Sequence, residues 1–181
     1  MPAHLEYLSS LVNGQPLQLL FRASRDGWDG EEFHKWCDNK GGTITLIKTL
    51  EGRICGGYAS VNWKTKGLFK GMATALIAST PGHKSAANFK EDLMSYLFSV
   101  DHQRRLPIKD AKWAVRCERR WGPCFGTGCL HLYLDGTATG RSLVSEETFG
   151  DTRDSEGNSI LTGSKELFTA CEVEVFRVVI S

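Results

Sequence analysis

The chain has 181 residues, with 22 Lys and Arg against 21 Asp and Glu and a formal net charge of +1. That length suits a single domain, residues 1–181, whose core can do without metal or disulfide staples, and the even charge excludes the basic excess of a dedicated nucleic-acid binder. A polar residue interrupts each hydrophobic stretch short of the ~18 residues of a membrane span, and no signal-like run follows Met1. Direct membrane insertion is therefore not expected. The expected location is the cytoplasm, where the six cysteines read as reduced thiols.

Leu5, Leu8, Leu11 and Val12 recur at helical spacing and predict a short amphipathic helix over 3–12. Asn13-Gly14 stops it, because Gly14 can take the left-handed conformation of a helix C-terminus. A strand is predicted over 17–22, then a turn at Ser24-Arg25-Asp26-Gly27, then a second helix capped by Asp29 and running through Cys37. Phe33, Trp36 and Cys37 fall on one face of that helix. Phe33 and Trp36 are accordingly expected to be buried, with a cost of ~3–5 kcal/mol for removing the Trp36 side chain.

After Gly41-Gly42 the period changes from 3.6 to 2. Residues 43–61 read as a β-hairpin turning at Glu51-Gly52. Gly56 and Gly57 inside its second strand point to a bulge or to close approach of neighbouring backbone. Residues 64–90 hold small and basic residues with no sustained period, far beyond the ~4–6 residues of an ordinary connection. They are expected to form a mobile insertion loop, open to trypsin at Lys64, Lys66, Lys70 or Lys84. Further strands are predicted at 94–100, 111–118, 129–135 and 166–179. In 129–135, Leu130, Leu132 and Leu134 face one way, with Cys129, His131, Tyr133 and Asp135 opposite. Many short strands and only two clear helices predict a mainly β (α+β) fold: a two-sheet antiparallel β-sandwich with two flanking short helices.

Patterns that carry chemistry fail on spacing or context. Cys117, Cys124, Cys129 and His131 are the right residue types for zinc but lack a Cys-x-x-Cys knuckle. Cys37 and His34 lie one turn apart, yet Cys37 shares the apolar face, where burial makes a thiol inert. Gly82-His83-Lys84-Ser85 lacks the upstream glycine of a phosphate loop, Gly126-Thr127-Gly128 the third glycine of a dinucleotide site, and Gly140-Arg141-Ser142 the second glycine of a nucleophile elbow. Neither a catalytic residue, a cofactor nor a metal is expected. The candidate contact residues are Arg25 and Asp26 in the first turn, together with the basic concentration of Arg104, Arg105, Lys112, Arg116, Arg119 and Arg120, with Lys109 beside them. On a strand, Lys112, Arg116 and Glu118 would face opposite Trp113, Val115 and Cys117. Each group also has a plain reading. Ser24 and Asp26 can bond local backbone with Arg25 bridging to an acid, and the basic residues can form a solvated face.

Leu19-Leu20-Phe21-Arg22-Ala23-Ser24-Arg25-Asp26-Gly27-Trp28 with Phe33-His34 resembles the opening signature of TLDc domains. Thr45 to Thr49 with Gly56-Gly57-Tyr58 resembles that family's central hairpin, and Tyr96 to Ser99 its next strand. Gly122-Pro123, Phe125-Gly126 and Leu132-Tyr133 are similar to its glycine-rich turn and following strand, and Cys171 to Phe176 to its closing strand. The matches occur in the family's order across roughly 5–178. The resemblance implies a β-sandwich with flanking helices, protection against oxidative stress, and binding of the vacuolar proton-pumping ATPase, with no established catalytic site. Three features depart from the family pattern. These are the long 64–90 segment, His131 where an acid usually precedes the Leu-Tyr pair, and an end at Ser181 without the helical extension of some pump-binding members. The expected function is a non-catalytic protein-interaction module. The alternatives are a thiol-based antioxidant enzyme and a structural subunit of a larger assembly.

Overall fold

In the computed structural model, residues 3–64, 88–143, 148–150 and 153–179 are described. The elements in chain order are α1 (Ala3–Leu11), β1 (Leu17–Arg22), α2 (Ala23–Asp26), α3 (Gly30–Cys37), β2 (Thr43–Thr49), β3 (Ile54–Ala59), β4 (Phe89–Lys90), β5 (Tyr96–Ser99), β6 (Arg104–Pro107), β7 (Val115–Arg116), β8 (Cys124–Phe125), β9 (Leu130–Leu132), β10 (Thr139–Arg141) and β11 (Leu167–Val178). Local chemistry sets the helix ends as read from sequence. Gly14, at φ +71°, returns its N–H to the Ser9 carbonyl at 2.8 Å and closes α1. The Asp29 carboxylate accepts the Glu31 N–H at 2.7 Å and opens α3.

Among the described residues every strand pairing is antiparallel, and the ladder runs β4-β7-β8-β9-β10-β11-β2-β3-β5-β6, with β1 also on β11. Strand β11 joins the two sheets of the sandwich. Its first residues, Leu167 to Thr169, pair with β10, whereas Ala170 to Arg177 pair with β2. The sheets then face one another. The Phe125 ring from β8 lies so close over Gly57 of β3 that a Cβ there would come within 2.7 Å of it. At Gly56 a Cβ would meet the Thr45 carbonyl oxygen at 1.8 Å. Gly56 therefore serves the close backbone approach that its place in a strand implied, and Gly57 makes room for an aromatic ring of the facing sheet.

The space between the sheets is filled by aromatic and aliphatic side chains. Trp63, fully buried, meets Phe33 and Phe125 edge-on at ring separations of 5.4 and 5.5 Å, and its indole N–H donates to Thr43 Oγ1 at 2.8 Å. A buried tryptophan needs such a partner for its one polar atom. A second cluster lies on the outer face of the first sheet. There α1 lays Leu11 and Val12 against Ile44, Tyr96, Phe98 and Val100, and the Tyr96 hydroxyl donates to the Leu11 carbonyl at 2.5 Å. That bond fills one of the carbonyl valences a helix end leaves open.

Four expectations need correction. Trp36 is 41 % exposed, while Phe33 and Cys37 are fully buried. At about 100° per residue, position 36 falls about 90° from the centre of the stripe that Gly30, Phe33 and Cys37 present. The strand expected over 111–118 is a 3-10 turn at Ala111–Trp113 followed by only Val115–Arg116. Among the described residues the flanking helices number three, because the turn after β1 closes into the single helical turn α2. Finally, the expected loop over 64–90 ends in strand: Phe89–Lys90 pairs with β7. Residues 65–87, and with them the trypsin sites at Lys66, Lys70 and Lys84, lie outside the described residues.

Candidate partner-binding surface

The nucleophile candidates sit where the fold keeps them quiet. Cys37 is fully buried beneath α3, and burial, reinforced by the Asp38 and Asp26 carboxylates, pushes its thiol well above the usual range. Its neighbour His34 is engaged at both ring nitrogens, with Asp38 Oδ1 at 2.7 Å and the Glu118 carbonyl oxygen at 2.9 Å. Burial likewise pushes the Cys117 and Cys124 thiols up to about 12 and Cys55 higher still. His131, almost fully buried, donates through Nε2 to the Gly126 carbonyl at 2.9 Å. Burial pushes its imidazole down to about 4; the Gly126 bond opposes the shift, and the Arg116 and Arg141 charges add to it. Among the described residues, no three His, Cys, Asp or Glu side chains come together as a metal site. Only Cys171 is exposed.

Arg25 and Asp26 are engaged with each other. The Arg25 guanidinium donates from Nε and Nη2 to the two Asp26 oxygens, each at 2.8 Å, and Asp26 also accepts the Arg22 N–H at 2.9 Å. The Arg25 guanidinium and the Arg22 amide hold the Asp26 carboxyl below the usual carboxylate range. Ser24 donates its N–H and hydroxyl to Glu172 at 3.1 and 2.5 Å, pinning α2 to β11. These bonds give the turn a structural task.

The remaining basic residues separate into two places. Arg116 lies between the Phe89 and Trp121 rings, at 5.6 and 4.4 Å from their centroids, and donates twice to Glu118 Oε1 at 3.1 and 2.9 Å. Asn88 donates to the same oxygen at 2.8 Å. This neutralised stack supports the loop carrying Arg119 and Arg120, which sits on the start of α3: a Cβ at Gly30 would come within 2.4 Å of the Arg120 backbone. Arg119 reaches Glu31 at 3.3 Å, both side chains being exposed. Arg120 is exposed and makes no ion pair among the described residues. Glu31, Glu118, Arg119, Arg120 and Trp121 line an open cleft of about 480 Å³. Lys112 stands over Trp113 at 4.9 Å, on the neighbouring 3-10 turn.

Arg104 and Arg105 lie elsewhere, on β6 at the end of the other sheet. The Arg105 guanidinium stacks on the Tyr96 ring at 3.9 Å, and Tyr96 in turn stacks on Tyr58 at 5.1 Å. A sequence scan had no way to join Arg105 to Tyr58, because β3, β5 and β6 meet only through sheet pairing. Glu31 was the one residue within reach of local reasoning, since the Asp29 cap puts it in the first turn of α3.

A family model for the TLDc domain matches residues 3–179. The chain belongs to the TLDc family. The match spans every element described above, so both arginine surfaces are features of this TLDc domain itself. TLDc domains are linked in general to oxidative stress. Among the described residues no helix is long and apolar enough to cross a membrane.

Proposed function

We propose that this TLDc domain is a non-catalytic protein-interaction module of the oxidative-stress response, acting in the cytoplasm, with the vacuolar proton-pumping ATPase as its leading partner. One contrast carries the reading. The side chains best suited to covalent chemistry are buried or engaged, as with Cys37, Cys124 and His34. Exposed arginine, by contrast, collects at a cleft rimmed by Trp121. Arg and Trp are residues that dominate protein interfaces, and Arg120, exposed and without an ion pair among the described residues beside the Arg119–Glu31 pair, offers a positive contact to an acidic partner. Membership of the family supports the stress-response context.

The thiol-enzyme alternative retains one residue, the exposed Cys171, whose sulfur lies 3.4 Å from the Thr49 carbonyl. A paired assay separates the readings. The isolated domain is tested for pump binding and for peroxide consumption, with Arg119→Glu/Arg120→Glu and Cys171→Ser variants. The expected outcome is binding that the charge reversal weakens mainly through slower association, increasingly so at low salt, and no peroxide turnover. Peroxide turnover abolished by Cys171→Ser would replace the module reading with the enzyme one.

A further inference from the structure

The outer face of the first sheet holds a second recess that the Arg119–Arg120 cleft does not share. Helix α1 covers this face only in part. Between its C-terminal end and the β5–β6 edge a groove of about 240 Å³ remains, lined by Val12, Gln15, Tyr58, Met94, Tyr96 and Arg105 among others. Its volume falls below the ~300–1,000 Å³ of small-molecule and cofactor sites, so it suits one or two amino-acid side chains. Four independent features converge on it. Arg105, over the Tyr96 ring at 3.9 Å, makes no ion pair among the described residues, so among them this cation at the groove has no carboxylate partner. Gln15 Oε1 is buried there and accepts no hydrogen bond from a described residue. Met94 on the rim and its neighbour Leu93 are 64 % and 75 % exposed and adjacent, and contiguous exposed apolar side chains mark interaction sites. Among the described residues strand β6 ends the ladder, so the backbone groups on its outer side, apart from Pro107, which has no N–H, are open to an added chain.

We propose that this groove binds an extended acidic peptide from a partner protein. A carboxylate pairs with the Arg105 guanidinium, a neighbouring apolar side chain covers Met94, and a polar side chain entering the groove donates to Gln15 Oε1, the backbone running along the open edge of β6. This is strand addition with pocketed side chains, a common mode of peptide recognition. The planar Arg105 guanidinium, held in place by the ring beneath it, matches a carboxylate bidentately at low ordering cost. Arg104, next along the strand and exposed, adds to the attraction for negative charge. Single-stranded nucleic acid also stacks on aromatic rings beside arginine, but the open strand edge answers a peptide backbone.

The inference rests on the interaction-module reading, and its test is separable from the test of that reading. The probe is a fluorescein-labelled, acetylated peptide Glu-Val-Glu-Leu-Asp-Val-Glu, titrated into the intact chain by fluorescence anisotropy and followed by amide chemical shifts. Saturable binding is expected, with shifts centred on β5, β6 and Gln15. Arg105→Glu and Met94→Glu should each weaken it roughly tenfold or more, while Arg120→Glu leaves it unchanged. Thermal unfolding of the two exposed-site variants checks that they remain folded. Any of three outcomes overturns the proposal: no saturable binding, equal binding of the peptide with every acid changed to Lys, or Arg105-dependent binding of a dT oligonucleotide in preference to the peptide. None of them touches the pump-binding result at Arg119 and Arg120.

Discussion

Lowering the pH from 7.5 to 4.5 should destabilise this protein through His131 before its carboxylates contribute fully. The imidazole is 4 % exposed and donates to the Gly126 carbonyl, and burial holds it down to about 4 against an ordinary 6.5. Because the folded value is the lower one, the unfolded chain takes up the proton first as pH falls. Stability is complete above about pH 7 and declines through the window from 6.5 to 4. A difference of about 2.5 pKa units at 1.36 kcal/mol each amounts to about 3 kcal/mol, most of it lost by pH 4.5. With a urea slope on the order of 2 kcal/mol/M for a chain of this size, the unfolding midpoint should fall by about 1 M. The assay is urea unfolding of wild type and His131→Gln at pH 7.5, 6.5, 5.5 and 4.5. Glutamine keeps a donor for Gly126 but does not titrate, so its profile should be flatter by about that amount whatever its stability at pH 7.5. Carboxylates such as Asp26, held below its usual range, titrate in both proteins and cancel in the difference. Parallel profiles for the two proteins would refute the assignment of a neutral buried His131.

Two further predictions concern packing. Trp63→Ala should cost about 3–5 kcal/mol, since the ring is fully buried between Phe33 and Phe125, whereas Trp36→Ala should change stability by no more than about 1 kcal/mol, as for a half-exposed side chain; thermal unfolding of both variants checks the order. Gly56→Ala should be more damaging than Gly57→Ala. The first would drive a methyl into the Thr45 backbone and the second into a Phe125 ring that can tilt aside, so the pair should differ by about 1 kcal/mol or more within the usual range for overpacking; equal midpoints in denaturant would contradict the close approach.

The elements readable from sequence were those whose cause is local. Asp29 and Gly14 mark helix ends because capping involves residues two to five apart. The β2–β3 hairpin was legible from the alternation in β2 and the Glu51-Gly52 turn, and the long β11 because its apolar residues alternate over many positions. Strands β4, β6, β8 and β10 have two to four residues each, too few to carry a period, and exist only because a distant partner pairs with them. The same limit governs the candidate surface. Sequence placed seven basic residues within Arg104 to Arg120 and read them as one concentration. The fold neutralises Arg116 against Glu118, leaves Arg119 and Arg120 at one cleft, and carries Arg105 to another sheet, over Tyr96. Which tryptophan enters the core was decided in the same way. Trp36 lies on a predicted apolar face yet stays half outside, while Trp63, just past the predicted hairpin, is fully enclosed. Burial depends on what distant elements bring to a position, and only the tertiary structure brings Thr43 of β2, Phe33 of α3 and Phe125 of β8 to Trp63.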